Sequence, residues 1–270
     1  MRFYKYQGAG NDFVLLDNRS GEILPQELSA LAKRLCARKY SVGADGMIVV
    51  EAPEHGGDCK MRFFNSDGST AEMCGNGARC LSRFCHDFGL SGEAQKMETP
   101  AGMVIGSRIS DGQYRVRLNT PSNVKLQMKA AGIVCDYMEL GEGGIPHAVV
   151  ETDLTQKRAT LRDFARLLRH APEFPRGANV NLWQQMGENA IQLLTFERGV
   201  EDFTLACGTG TGSTAAALTL RGLLDGEQTR VQCEGGLLTV DAVLDAEKTA
   251  VTDLYLTGGA ELVFIGELPI

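Results

Sequence analysis

Phe64-Asn65-Ser66-Asp67-Gly68, running on to Met73-Cys74-Gly75-Asn76-Gly77, has an echo half a chain later. The echo is Phe196-Glu197-Arg198-Gly199, running on to Ala206-Cys207-Gly208-Thr209-Gly210. Each stretch carries a cysteine at the mouth of a glycine-rich turn, and the two cysteines lie 133 positions apart in a chain of 270. A repeat of that period decides the whole fold, so it must recur elsewhere in the same register. Gly43-Ala44-Asp45 matches Gly177-Ala178-Asn179, and Gly10-Asn11-Asp12-Phe13-Val14 falls opposite Gly144-Ile145-Pro146-His147-Ala148. Glu98 with Gly102-Met103-Val104 falls opposite Glu234 with Gly236-Leu237-Leu238. A helical apolar spacing after Pro25 (Leu28, Leu31, Ala32, Leu35) has its partner after Thr160 (Leu161, Phe164, Ala165, Leu168). These matches keep one order and one register, which indicates internal duplication.

The duplication divides the chain into two similar lobes of ordinary domain size. The N-terminal lobe is expected over 1–120 and the C-terminal lobe over 121–258, with the boundary near Thr120-Pro121-Ser122-Asn123. Strands are expected near 2–7, 13–18, 46–51, 60–65, 103–109 and 113–119, then 132–140, 147–151, 179–184, 190–196, 228–233, 237–244, 250–256 and 260–266. Helices fit 25–38, 77–88, 160–170 and 210–222. Ser110-Asp111-Gly112-Gln113 reads as a hairpin turn. Short turns rather than helices link most strands, so the fold class is α+β, with mixed or antiparallel sheets instead of a doubly wound one.

Hydrophobic content of 43% and charged content of 23% belong to a globular protein. A net charge of −7 argues against a phosphate-backbone binder, so no nucleic-acid partner is expected. No run approaches the ~18 apolar residues of a membrane span. Met1-Arg2-Phe3-Tyr4-Lys5-Tyr6 alternates like a first strand rather than forming a signal-peptide core, which makes a cytoplasmic location the expectation. The eight cysteines should then stay reduced. Cys36, Cys59, Cys135 and Cys233 sit in apolar or alternating patterns and read as small core residues. Cys80, Cys85 and His86 follow Cys74, but no paired Cys-x2-Cys spacing exists, so no metal is expected.

Both cysteine turns lead into helices, Ala78-Arg79-Cys80-Leu81 after the first and Thr214-Ala215-Ala216-Ala217 after the second. A helix N-terminus favours negative charge. A thiol placed there is activated toward thiolate, and the same N–H groups can hold a carboxylate. Two such thiols suit the removal and return of a proton on opposite faces of one carbon. The α-proton of an amino acid is a very weak acid, so fixed dipoles around its carboxylate must stabilise the charge that develops. Other readings fit less well. Gly208-Thr209-Gly210-Thr211-Gly212 has the wrong glycine spacing for a dinucleotide fingerprint. There is no Gly-Lys-Ser/Thr phosphate loop and no Ser-His-Asp grouping, and of the four histidines only His147 sits in a motif-like setting.

The chain resembles the diaminopimelate epimerase family of the cofactor-independent amino-acid racemases. The motifs that carry the resemblance run through Gly8-Ala9-Gly10-Asn11-Asp12-Phe13, Gly43-Ala44-Asp45-Gly46 and the two cysteine stretches. They also include Pro146-His147-Ala148-Val149, Ala178-Asn179-Val180-Asn181 and Glu197-Arg198-Gly199-Val200. The resemblance implies two pseudo-symmetric lobes, each a sheet wrapped around a central helix, with the site in the cleft between them and the C-terminal strand, about 259–270, returning to the first lobe. It implies a small amino-acid substrate, no cofactor, and a homodimer.

Carried over residue by residue, Cys74 and Cys207 are the acid–base pair. Gly75, Asn76, Gly208 and Thr209 hold the carboxylate and amine of the reacting centre. Asn11, Asn65, Asn179, Glu197 and Arg198 read the distal end. The chain departs from the family pattern twice: Ile145 stands where Asn often precedes Pro-His, and Val200-Glu201-Asp202-Phe203-Thr204 is one residue longer and lacks a second glycine. Both departures bear on substrate identity. They leave open a racemase of another polar amino acid such as histidine, and a non-catalytic amino-acid-binding protein on the same scaffold.

Overall fold

The computed structural model describes residues 1–71, 73–141 and 143–268, and the chain divides into two compact units. The first unit comprises Met1–Val116 with Gly258–Ile270 and the second Arg117–Thr257. In the first, β1 (Arg2–Gly8) and β2 (Asn11–Asp17) form a hairpin, and α1 (Pro25–Cys36) crosses back to β3 (Gly46–Glu51). There follow β4 (Cys59–Asn65), β5 (Thr70–Ala71), α2 (Gly75–Asp87), β6 (Ala94–Thr99), β7 (Gly102–Ser110) and β8 (Gln113–Leu118). β2 and β3 are parallel, β3 and β4 antiparallel, and β4 takes β5 antiparallel at one end and β6 parallel at the other. The mixed sheet expected from short connections is present.

The second unit repeats this plan. It contains β9 (Pro121–Ala130), β10 (Ile133–Leu140), β11 (Ile145–Glu151), α3 (Arg158–Arg169), β12 (Asn179–Gly187), β13 (Ala190–Glu197), β14 (Asp202–Thr204), α4 (Gly208–Leu220), β15 (Thr229–Cys233), β16 (Gly236–Leu244) and β17 (Val251–Gly259). β11 and β12 are parallel, β12 and β13 antiparallel, and β13 takes β14 antiparallel and β15 parallel. Every pairing of the first unit from β2 to β6 has its counterpart here. The last strand, β18 (Glu261–Glu267), pairs antiparallel with β1 just as β9 pairs with β10. Positions 269–270 of the expected C-terminal strand lie outside the described residues.

Two kinds of helix follow from two kinds of sequence. α1 and α3 are amphipathic: Leu28, Leu31, Ala32 and Leu35 are buried on one, Leu161, Ala165 and Leu168 on the other. Each lies on the outer face of its sheet, α1 over Val14, Met47 and Val49, α3 over Val180, Leu182 and Leu194. α2 and α4 are buried nearly all round and form the centres of the two units. α4, Gly-Thr-Gly-Thr-Gly-Ser-Thr-Ala-Ala-Ala, is a poor helix by intrinsic propensity and depends on its surroundings. Its small side chains let the strands close tightly: a Cβ on Gly212 would come within 2.6 Å of Leu118 Cδ1.

Candidate active site

Both cysteines are helix N-caps. Cys74 precedes α2 in extended backbone, and its Sγ accepts from Gly77 N at 3.5 Å. Cys207 precedes α4, and its Sγ accepts from Gly210 N at 3.4 Å. The helices therefore begin two residues earlier than the glycines suggested, with Gly75 and Gly208 as first helical residues. Sulfur takes the place of the usual Ser or Asp cap oxygen, so the amides that end each helix bear directly on the thiol.

In the first unit the strands bring Asn11, Cys74 and Asn76 together. Asn11 Oδ1 accepts from Cys74 Sγ at 3.7 Å and from Asn76 Nδ2 at 3.3 Å. Its amide nitrogen donates to Asp45 Oδ2 at 2.8 Å, which fixes the orientation of the side chain. Asp45 is itself held by Arg38, which also pairs with Asp12. Burial would raise the Asp12 carboxyl, but hydrogen bonds from Arg38 and Lys5 outweigh it and hold the group below the usual carboxylate range. The Gly43-Ala44-Asp45 motif thus serves Asn11. Asn65 ends β4, and its side chain donates to Ser69 Oγ at 2.9 Å inside the Ser66–Gly68 turn. A cavity of about 400 Å³ opens on this unit beside Met61, Phe63 and Thr70, and none of the candidate residues lines it.

In the second unit Asn179 opens β12, and its Oδ1 accepts from Arg198 N at 2.7 Å, so the distal-end candidates Asn179 and Arg198 are adjacent. Arg198 Nη1 donates to Arg176 O, and no carboxylate among the described residues pairs with its guanidinium. Desolvation, then the neighbouring Arg169 and Arg176, shift its proton affinity downward. Glu197 ends β13 and Thr209 Oγ1 lies 3.4 Å from Cys207 Sγ. The longer 200–204 stretch is anchored rather than loose. Glu201, at φ 58°, accepts from Arg169 and from Gly199 N, and Asp202 pairs with Arg162. Ile145 begins β11, and Arg176 holds the preceding carbonyls of Gly143 and Gly144.

A buried polar chain was absent from the sequence reading of this unit. His147, Asn181 and Thr195 are all within the core and hydrogen-bonded in series. Asn181 lies two residues after Asn179 on one strand, so both share a face, and that spacing was the available signal. The chain touches α4: a Cβ on Gly210 would meet Asn181 Oδ1 at 2.3 Å and Thr195 Oγ1 at 3.0 Å. Gly210→Ala should therefore destabilise the protein by about 1–3 kcal/mol despite alanine's better helix propensity. The duplicate position is the control, since a Cβ on Gly77 meets the flexible ends of Ile48 and Met61, at 3.2 and 3.4 Å, and Cys74 Cβ in ordinary van der Waals contact at 3.5 Å. Urea melts of the two variants check the contrast; equal midpoints would refute it.

The fold is shared with racemases and epimerases of known structure. The chain superimposes on a probable proline racemase from Agrobacterium radiobacter with a TM-score of 0.74 at 16% identity, covering 100% of this chain and 93% of that one. It superimposes on a hydroxyproline epimerase from Agrobacterium vitis with a TM-score of 0.70 at 18% identity, covering 98% and 91%. Sequence narrows the class. The diaminopimelate epimerase family model matches twice, over residues 3–124 and 142–263, one match for each half of the duplication. Diaminopimelate epimerase of Aquifex aeolicus is 37% identical over 282 residues, 99% of this chain and 98% of that protein. That of Archaeoglobus fulgidus is 37% identical over 279 residues, 98% and 95%. The chain belongs to the diaminopimelate epimerase family.

Proposed function

We propose that the protein is a diaminopimelate epimerase, an isomerase that interconverts LL- and meso-diaminopimelate without pyridoxal phosphate, in lysine and peptidoglycan precursor synthesis. The observation that carries this reading is the matched pair of cysteine caps, one at the central helix of each duplicated unit. A thiolate takes the α-proton, the electron pair moves toward the α-carboxylate, and the second thiol returns a proton to the opposite face. Reversing the two protonation states runs the reaction backwards. Cys74 and Cys207 are assigned these roles. Gly75, Asn76, Gly208 and Thr209, at the positive ends of α2 and α4, are assigned to the reacting carboxylate and amine. Asn11, Asn65, Asn179, Glu197 and Arg198 are assigned to the distal amino-acid end, where an Arg fork suits a carboxylate and a Glu suits an ammonium. A homodimer in the cytoplasm goes with this reading. No helix among the described residues is long and apolar enough to cross a membrane.

The test is incubation in D2O with LL-diaminopimelate and, separately, with histidine and other amino acids, without added cofactor. Deuterium at the α-carbon of diaminopimelate, with appearance of the meso isomer, is the expected result. Deuterium entering histidine alone would transfer the assignment to another amino acid. Binding without exchange in any of them would reduce the protein to a binding module.

A further inference from the structure

The Asn181 amide has its orientation fixed twice over. Nδ2 donates to the Ala148 carbonyl at 3.1 Å, and a carbonyl only accepts, so nitrogen and oxygen cannot be exchanged there. Oδ1 accepts from Thr195 Oγ1 at 2.9 Å. The second amide hydrogen is then directed to His147 Nδ1, 3.2 Å away. A ring nitrogen that accepts from an amide N–H carries no proton of its own, which leaves the imidazole proton on Nε2. Nε2 is buried and meets no acceptor among the described residues.

We propose that Asn181, steadied by Thr195, is a positioning residue that locks His147 in its neutral Nε2–H form and so presents an uncharged hydrogen-bond donor to a negatively charged atom of the bound substrate. The use of that donor rests on the epimerase reading; the lock itself does not. An unpaired buried donor is costly, and a ligand that supplies the acceptor removes the cost. The cross-strand neighbours of the ring are uncharged. β10 places Met138 opposite His147, β12 contributes Asn179 and Asn181, and β13 contributes Thr195. α4 begins with the uncharged Gly208-Thr209-Gly210, and the titratable group at that end is the Cys207 thiol. Arg198 is the charged group that bears on the ring. Burial first, and Arg198 second, push the His147 imidazolium down to about 3. A neutral imidazole can stabilise a developing anion without competing for the proton that the thiols exchange. An imidazolium in the same place would compete for it.

The tautomer is read directly by 15N NMR of histidine-labelled protein without substrate, with the His147→Gln spectrum identifying the His147 signals among the four histidines. A protonated Nε2 and a bare Nδ1, unchanged across about pH 5 to 8, is the expected result. A protonated Nδ1, or a change of the His147 signals within that pH range, overturns the proposal whatever reaction the protein catalyses. In Asn181→Asp the carboxylate accepts from the ring, so Nδ1 should gain a proton; an unchanged spectrum there also overturns it. On the kinetic side, Thr195→Val should lower kcat/KM for diaminopimelate about tenfold while Thr195→Ser, which keeps the hydroxyl, restores it. Equal rates for the valine and serine variants would count against Thr195.

Discussion

Replacing either Cys74 or Cys207 by alanine lowers kcat/KM for epimerisation by about 10³-fold or more, the upper range for removing a positioned acid–base group. The two losses are comparable, because inversion needs both groups in every turnover. The residual chemistry separates this prediction from a trivial loss of fold. A variant that keeps one thiol can still remove the α-proton of one epimer and return it to the same face. Each single variant should therefore wash solvent deuterium into one epimer without inverting it, and the two variants should do so for opposite epimers. Alanine also removes a helix cap, which costs about 1 kcal/mol. Serine at either position keeps a cap for Gly77 N or Gly210 N but is far too weak an acid, so Cys74→Ser and Cys207→Ser should melt near the parent and remain inactive. Near-normal turnover in any of the four variants would sink the two-base assignment.

What could be read from the sequence, and what could not, follows from where each signal resides. α1 and α3 were legible because their apolar residues recur at helical spacing on one face. α2 and α4 were legible as helices but not in their first turn, because Gly75 and Gly208 read as turn glycines until the cysteines are seen to cap them. Two full strands were not anticipated. β6 hides its period because the buried positions Gln95 and Glu98 are polar; Gln95 accepts from Ser82, and Glu98 accepts the backbone N–H groups of Glu54, His55 and Gly57. β9 lies mostly exposed and is broken by Asn123 and Gln127 at positive φ, so neither a buried face nor a regular register marks it. The short β5 and β14 lie inside the cysteine motifs themselves.

The same logic governs the site. The cysteines stood out because duplication shows two copies of one constellation. The His147–Asn181–Thr195 chain did not, because residue type says nothing about whether a strand asparagine faces solvent or the core, and only burial gives its hydrogen bonds their force.

Arg198→Met should lower kcat/KM for diaminopimelate by about 100-fold, chiefly through KM, because a fork-shaped charged donor to a carboxylate is lost. Methionine preserves much of the apolar stem, so the change isolates the guanidinium. Three guanidiniums bear on one another here, those of Arg169, Arg176 and Arg198. Two are already neutralised: Arg169 pairs with Glu201, and Arg176 with the buried Glu139. Among the described residues the Arg198 guanidinium donates only to the Arg176 carbonyl, at 3.1 Å, which suits it to an incoming anion. Arg198→Lys should recover only part of the loss, since a point charge cannot span both carboxylate oxygens. The decisive comparison uses an amino acid without a distal carboxylate. Its α-proton exchange, slow in the parent, should be no slower in Arg198→Met, because specificity is a difference of affinities and this contact exists for one ligand only. An equal loss on both substrates would place Arg198 with the reacting centre, and no loss on either would remove it from the site. The longer 200–204 stretch does not disturb this assignment: its added carboxylate, Glu201, is directed to Arg169 and to Gly199 N, and so leaves the charge of Arg198 for the ligand.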